Sequence, residues 1–243
     1  GLLLSLIRWR GGSGRRRKDG FSPPGTSQSP EDGQWSESFR RAQDALAEGR
    51  IEKVVLAVQR HFHKKATAIQ MLGNLRSMQN SSFDFLLSPD GEAAFFGCSP
   101  ERLFRTEDGR IQSEALAGTR PWIGSGDRDS EWSTDLLSSE KELWEHECVV
   151  QFVVERLQPF CQAECSSQKA RVVRHNKVQH LLTSIEGILR PGVDLEELLD
   201  AMHPTPAVCG RPQEEAMELI SALEGFDRGW YAGPVGWISE GAA

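Results

Sequence analysis

A chain of 243 residues with 38% hydrophobic and 26% charged side chains can bury a substantial core, as one large domain or two small ones. Its net charge of −7 argues against a general nucleic-acid binder, and the apolar opening "GLLLSLI" is too short to span a bilayer. The five cysteines, Cys98, Cys148, Cys161, Cys165 and Cys209, have no C-x-x-C spacing and read as free, mostly buried thiols of a reducing compartment.

The opening reads as the end of a strand. From Arg10 to Gly33 the chain is rich in Gly, Ser, Pro and Arg, includes the basic run Arg15 to Lys18, and should be a poorly ordered linker. Residues 1–34 are therefore set apart from a domain over 35–243. Trp35, Phe39, Ala42 and Leu46 fall at helical spacing, with Gly49 where a C-cap belongs. Lys53 to His63 has the branched, alternating pattern of a long strand. A helix is expected over Ala66 to Met78, then paired strands at Ser82 to Leu87 and Ala93 to Cys98. "ERLFRTEDGRIQSEALAG" predicts a hairpin turning at "EDG".

After a Gly- and Asp-rich loop comes a long helix, Leu136 to Val154. Leu143, Val150, Val154 and Leu157 form its main apolar stripe, with Val149 and Phe152 on the far side and Glu145 between them. "VVRHNKVQHLLTSIEGILR" reads as strand, "DLEELLDAMHP" as a short helix stopped by Pro204, and "PQEEAMELISALEGF" as a helix with Pro212 in its first turn. "GWYAGPVGWIS" closes as strand and turn. Strand pairs and helices arrive in blocks without a βαβ rhythm, so the fold class is α+β.

Several residues carry chemistry that the residues alone leave open. Lys53 begins an apolar strand: solvated it is ordinary surface, but buried it would have a lowered pKa and could act as a general base. Glu101, after "FFGCSP", is either a turn residue or, in a closed pocket, a proton donor. Gly118 and Thr119 end a loop where backbone can approach a ligand closely. Glu145 could ligate a hard cation such as Mg²⁺, which takes one or two carboxylates plus substrate oxygens. His203 lies in the rigid "HPTPAVCGRP" loop and could be purely structural. His61 and His63 alternate on one strand face, but two histidines do not make a metal site.

Taken together, "KVVLA", "FFGCSPERLF", "EALAGTRP", "LLSSEKELWEHECVV", "HPTPAVCGRP" and "EGFDRGWYAGPVGW" resemble, in order from about Trp35 to the end, the chorismate-utilising enzymes, specifically isochorismate synthases. The resemblance implies an anthranilate-synthase-type fold and Mg²⁺-dependent, reversible conversion of chorismate to isochorismate, a precursor of quinones, siderophores and salicylate. It implies that Lys53 activates the attacking water, Glu101 protonates the leaving hydroxyl and Glu145 ligates Mg²⁺. Gly118, Thr119, His180 and Ala207 match positions that line the substrate pocket. Lys53 separates the chain from typical anthranilate synthases, which use ammonia, and Ala117 from aminodeoxychorismate synthases, which carry Lys there.

The chain departs from this pattern at Val58, where the family usually has Arg. Its sequence also stops at "GWISEGAA", before a segment that in the family supplies an Arg, a Gly-rich loop and a second Mg²⁺-binding Glu. A fragment of weak activity is therefore expected, with the cytoplasm, or a plastid stroma in a photosynthetic source, as its compartment. An anthranilate- or salicylate-forming relative and a non-catalytic remnant are the alternatives.

Overall fold

The computed structural model describes residues 9–10, 32–61, 66–78, 82–89, 91, 93–124 and 126–238. Its first elements are β1 (Trp9–Arg10), α1 (Asp32–Ala47), β2 (Lys53–Val54), α2 (Ala68–Met78), β3 (Phe83–Leu87), β4 (Ala93–Ser99), β5 (Arg105–Glu107) and β6 (Arg110–Pro121). There follow α3 (Gly126–Ser138), α4 (Glu140–Leu157), β7 (Ser166–Ser167), β8 (Arg171–His175), β9 (Val178–Ile188), α5 (Leu195–Met202), β10 (Gly210–Arg211) and α6 (Gln213–Leu223).

The expected α+β class holds: all strand pairs are antiparallel, and helices pack on the sheets without crossover units. The largest sheet has the order β5-β6-β9-β7, with β8 also pairing β9. Its hairpin turn is Asp108-Gly109, both residues left-handed (φ 51° and 73°), as an Asp-Gly pair allows and a two-residue hairpin favours. Along β6, Ile111, Ser113 and Ala115 are buried while Arg110 and Gln112 are exposed. That period-two face meets α4, and Ile111, Ala115, Val149, Val153, Leu157 and Ile185 belong to one core cluster. A second sheet has the order β1-β4-β3, and a two-residue ladder pairs β2 with β10.

Five expectations need correction. The long strand from Lys53 shrinks to Lys53–Val54, because its partner β10 is itself two residues long; residues 55–60 continue without strand pairing, and His63 lies outside the described residues. The Gly- and Asp-rich loop is mostly α3. Ser139 then interrupts the helix and caps α4, its hydroxyl accepting from the Glu142 N–H at 3.4 Å.

The buried face of α4 runs through Glu142, His146, Val149, Val150, Val153 and Leu157, not through Leu143, which is exposed. The sheet beneath selects that face, so two polar side chains go inward where the apolar stripe placed a leucine. The final segment forms turns over 229–232 and no strand over 233–238. Finally, the first helix starts at Asp32 rather than Trp35, inside the expected linker, most of which lies outside the described residues. All five cysteines are unpaired and buried, as expected.

Candidate active site

Lys53 stands on β2, whose neighbour β10 approaches so closely that a Cβ at Gly210 would collide with the Lys53 carbonyl. Burial lowers the Lys53 pKa from its ordinary value of 10.5, opposed by the charges of Glu145 on α4 and Glu101. Glu101 leaves β4 through Pro100. Its N–H donates to Ser99 Oγ at 3.3 Å, and burial of its carboxyl pushes the pKa from 4.5 up to about 7 despite the Lys53 charge. Lys53, Glu101 and Glu145 thus come from three separate elements to one place. Glu145 is half-buried, and Lys141 Nζ lies 3.2 Å from its carboxylate.

A second group forms around a bulge in β6, where the register with β9 shifts between Ala117 and Thr119. Gly118 sits there at φ 77°, a conformation that favours glycine; a Cβ on it would lie 3.3 Å from Glu142 Oε2 and 3.4 Å from Leu181 Cδ1. Glu142 reaches across from α4 and accepts from the Thr119 N–H (3.2 Å) and from the Arg120 guanidinium (2.7 Å). Arg120 is held in turn by Asp135 of α3 at 2.6 Å.

From β9, His180 Nδ1 lies 3.1 Å from the Gly118 carbonyl and 3.0 Å from Thr119 Oγ1. A carbonyl can only accept, so Nδ1 carries the proton and Nε2 is the acceptor of a neutral ring. Burial holds the His180 pKa down to about 4, and Nε2 is buried with no protein partner among the described residues.

The two groups are joined by α4, which carries Glu142 and Glu145 less than one turn apart. His146 of the same helix is buried, its Nε2 2.8 Å from Thr183 Oγ1, its pKa lowered to about 4 by burial and by the Lys53 charge. Ala207 stands on the loop after α5, where its N–H donates to Thr205 Oγ1 at 3.3 Å and its side chain packs on the main core. Among the described residues no hydrogen bond joins it to either group. His203 caps the C-terminus of α5, with its backbone N–H donating to the Leu199 carbonyl at 3.0 Å.

Residues 15–243, nearly the whole chain, match the family described as chorismate binding enzyme. The chain belongs to that family. It is 35% identical over 213 residues to the isochorismate synthase MenF of Pasteurella multocida, covering 86% of this chain and 49% of the relative. The solved structure of the menaquinone-specific isochorismate synthase MenF from Escherichia coli matches all of this chain, and 54% of its own, with a TM-score of 0.82 at 31% identity. Anthranilate synthase component I from Streptococcus pneumoniae matches 90% of this chain and 49% of its own, with a TM-score of 0.80 at 25% identity. The chain therefore spans about half the length of the chorismate binding enzymes it resembles.

A cation at this site would meet one carboxylate. Among the described residues no three His, Cys, Asp or Glu side chains cluster as a metal cage. Glu145 nevertheless fits a hard divalent ion that takes one or two carboxylates and fills its remaining positions with substrate oxygen and water. Its counter-charge, Lys141, is 74% exposed and can swing aside.

Sequence reasoning missed Glu142, His146, Glu224 and Arg228. Glu142 had a signal: Ser139-x-x-Glu142 has capping-box spacing, but the carboxylate turns away from its own cap to hold the bulge. Glu224 and Arg228 are one helical step apart in "EGFDR", and nothing in that spacing says that they are buried together.

Proposed function

We propose that the protein to which this chain belongs interconverts chorismate and isochorismate. The observation that carries the proposal is the juxtaposition of Lys53 and Glu101, one with its pKa driven down and the other with its pKa driven up by burial. A pair of titratable groups so displaced is arranged to take a proton at one point and give one at another.

In its unprotonated form Lys53 Nζ removes a proton from water as its oxygen bonds to ring carbon 2. The ring double bonds shift, the bond from carbon 4 to its hydroxyl breaks, and Glu101 donates the proton that lets the hydroxyl leave as water. One water enters and one leaves, so product and substrate are isomers and the step is reversible. In this reading His180 Nε2, which has no protein partner among the described residues, accepts a hydrogen bond from substrate beside Gly118 and Thr119.

Magnesium, with Glu145 as one of its ligands, would neutralise a substrate carboxylate when bound. The decisive experiment is chromatography of the products formed from chorismate and Mg²⁺ by the full-length protein. Isochorismate is expected; an aromatic product, or none, refutes the proposal. The likeness to anthranilate synthase component I supports a second reading, in which ammonia replaces water. That reading leaves Lys53 without a proton to take from water, and anthranilate among the products would favour it.

A further inference from the structure

The segment that follows Lys53 presents a puzzle in hydrogen bonding. Residues 55–57 are half-buried yet have no strand partner among the described residues beyond the two-residue ladder, so their backbone groups need other partners. The Val55 N–H finds the Cys209 carbonyl at 2.7 Å. The Val55 carbonyl accepts from the Arg228 guanidinium at 2.8 Å, and the Ala57 N–H donates to Glu224 Oε1 at 2.7 Å. Arg228 and Glu224 are themselves bonded in a fork, Nε to Oε2 at 2.7 Å and a second close contact to Oε1. The Glu224 side chain is 2% exposed and that of Arg228 19%.

A paired acid and base thus complete an edge that a strand would otherwise complete. A buried ion pair is a poor source of stability, because desolvation offsets its attraction, so its geometry is the better explanation of its presence. Arg228 also donates to the Val208 carbonyl at 2.9 Å. The loop of Ala207 does not depend on that bond, since Val208 and Cys209 already donate to the Thr205 carbonyl at 3.1 and 3.0 Å. Residues 55–57 have no such internal bonds. Lys53, Val55 and Ala57 share one face of the extended chain, so a shift at Val55 and Ala57 carries directly to the Lys53 side chain.

We propose that Glu224 and Arg228 are positioning residues for Lys53, acting through the backbone of residues 55–57. The catalytic half of this inference rests on the isochorismate reading; the structural half does not. Backbone hydrogen exchange in the full-length protein tests the structural half without substrate. The Ala57 amide should exchange slowly in the wild type and lose protection in Arg228→Lys or the milder Glu224→Gln, while β6 and β9 keep theirs. An Ala57 amide that is unprotected in the wild type, or protection lost evenly across all sheets in the variants, overturns the proposal.

Steady-state kinetics test the catalytic half, with rates normalised to the folded fraction. A displacement of Lys53 by about 1 Å should lower kcat by roughly 100-fold, and the KM for chorismate should change little because the bulge at Gly118 is untouched. A role in stability alone would leave both constants of the folded fraction unchanged, and that outcome overturns the proposal. If the wild type converts no chorismate, the isochorismate reading falls and the exchange result alone decides whether the pair orders residues 55–57.

Discussion

Replacing Glu101 by Gln should remove activity and, above neutral pH, make the protein more stable. The carboxyl titrates near 7 in the folded protein and near 4.5 when free, so between those values the folded state keeps a proton that the unfolded chain has already lost. Stability therefore falls as pH rises through this window and levels off once both states are ionised. The full cost, taken from the two midpoints, is at most roughly 3 kcal/mol. Glutamine has nearly the same shape and no proton to lose.

The measurable quantity is the difference in unfolding free energy between Glu101→Gln and wild type at pH 5, 6, 7 and 8. Urea unfolding followed by fluorescence of the seven tryptophans would report it. A constant offset from altered hydrogen bonding cancels in this comparison, leaving the pH-dependent part. The gap should widen in favour of the variant from pH 5 to pH 8, approaching the figure above. In thermal unfolding this corresponds to roughly 6–12 °C for a domain of this size. A gap that does not change with pH would refute the claim that the site holds a protonated carboxyl, and with it the role of Glu101 as proton donor.

Four further outcomes follow from the same geometry. Lys53→Ala should lower kcat by roughly 10²–10⁴-fold with folding intact by circular dichroism, the range typical of a lost general base; a near-normal rate refutes its role. Gly118→Ala forces a side chain into a left-handed conformation and against Glu142, so it should cost about 1–2 kcal/mol in urea unfolding and raise the KM for chorismate. Glu142→Gln should loosen the same bulge by weakening the Arg120 and Thr119 contacts, raising KM more than it lowers kcat; an effect on kcat alone would place Glu142 in the chemistry instead. Glu145→Ala should raise the Mg²⁺ concentration needed for half-maximal rate, and chelation should abolish turnover in the wild type; Mg²⁺-independent activity would refute its assignment.

The elements with strong local signals were legible from sequence. The Asp108-Gly109 hairpin follows from turn chemistry, and the end of α5 and the start of α6 follow from Pro204 and Pro212. What failed is what depends on partners far along the chain. The strand pattern after Lys53 is genuine, but pairing needs a neighbour, and residues 210–211 supply one for only two positions. The inward face of α4 is chosen by the β6–β9 sheet, which is why Leu143 is exposed and Glu142 and His146 are buried. The candidate site residues come from ordered motifs. Their spacing alone could not tell a solvated Lys53 or Glu101 from a buried one, since burial is set by β10, β4 and α4 together.

Two carboxylates of α4, the buried Glu142 and the half-buried Glu145, explain why the candidate site is built on a helix. Glu142 binds backbone and a guanidinium at the bulge, and Glu145, three residues on, interacts with the Lys53 charge. A helix of 18 residues anchored through Val149, Val153 and Leu157 cannot shift one carboxylate without the other. The spacing between Glu142 and Glu145 is therefore set by helix geometry, at about 1.5 Å of rise per residue, and not by loop conformation. Loops could hold the same groups, but each would have to be ordered separately at an entropic cost of about 1–2 kcal/mol per residue. On α4 that ordering is shared with the main core, so the helix holds Glu142 and Glu145 at a fixed spacing.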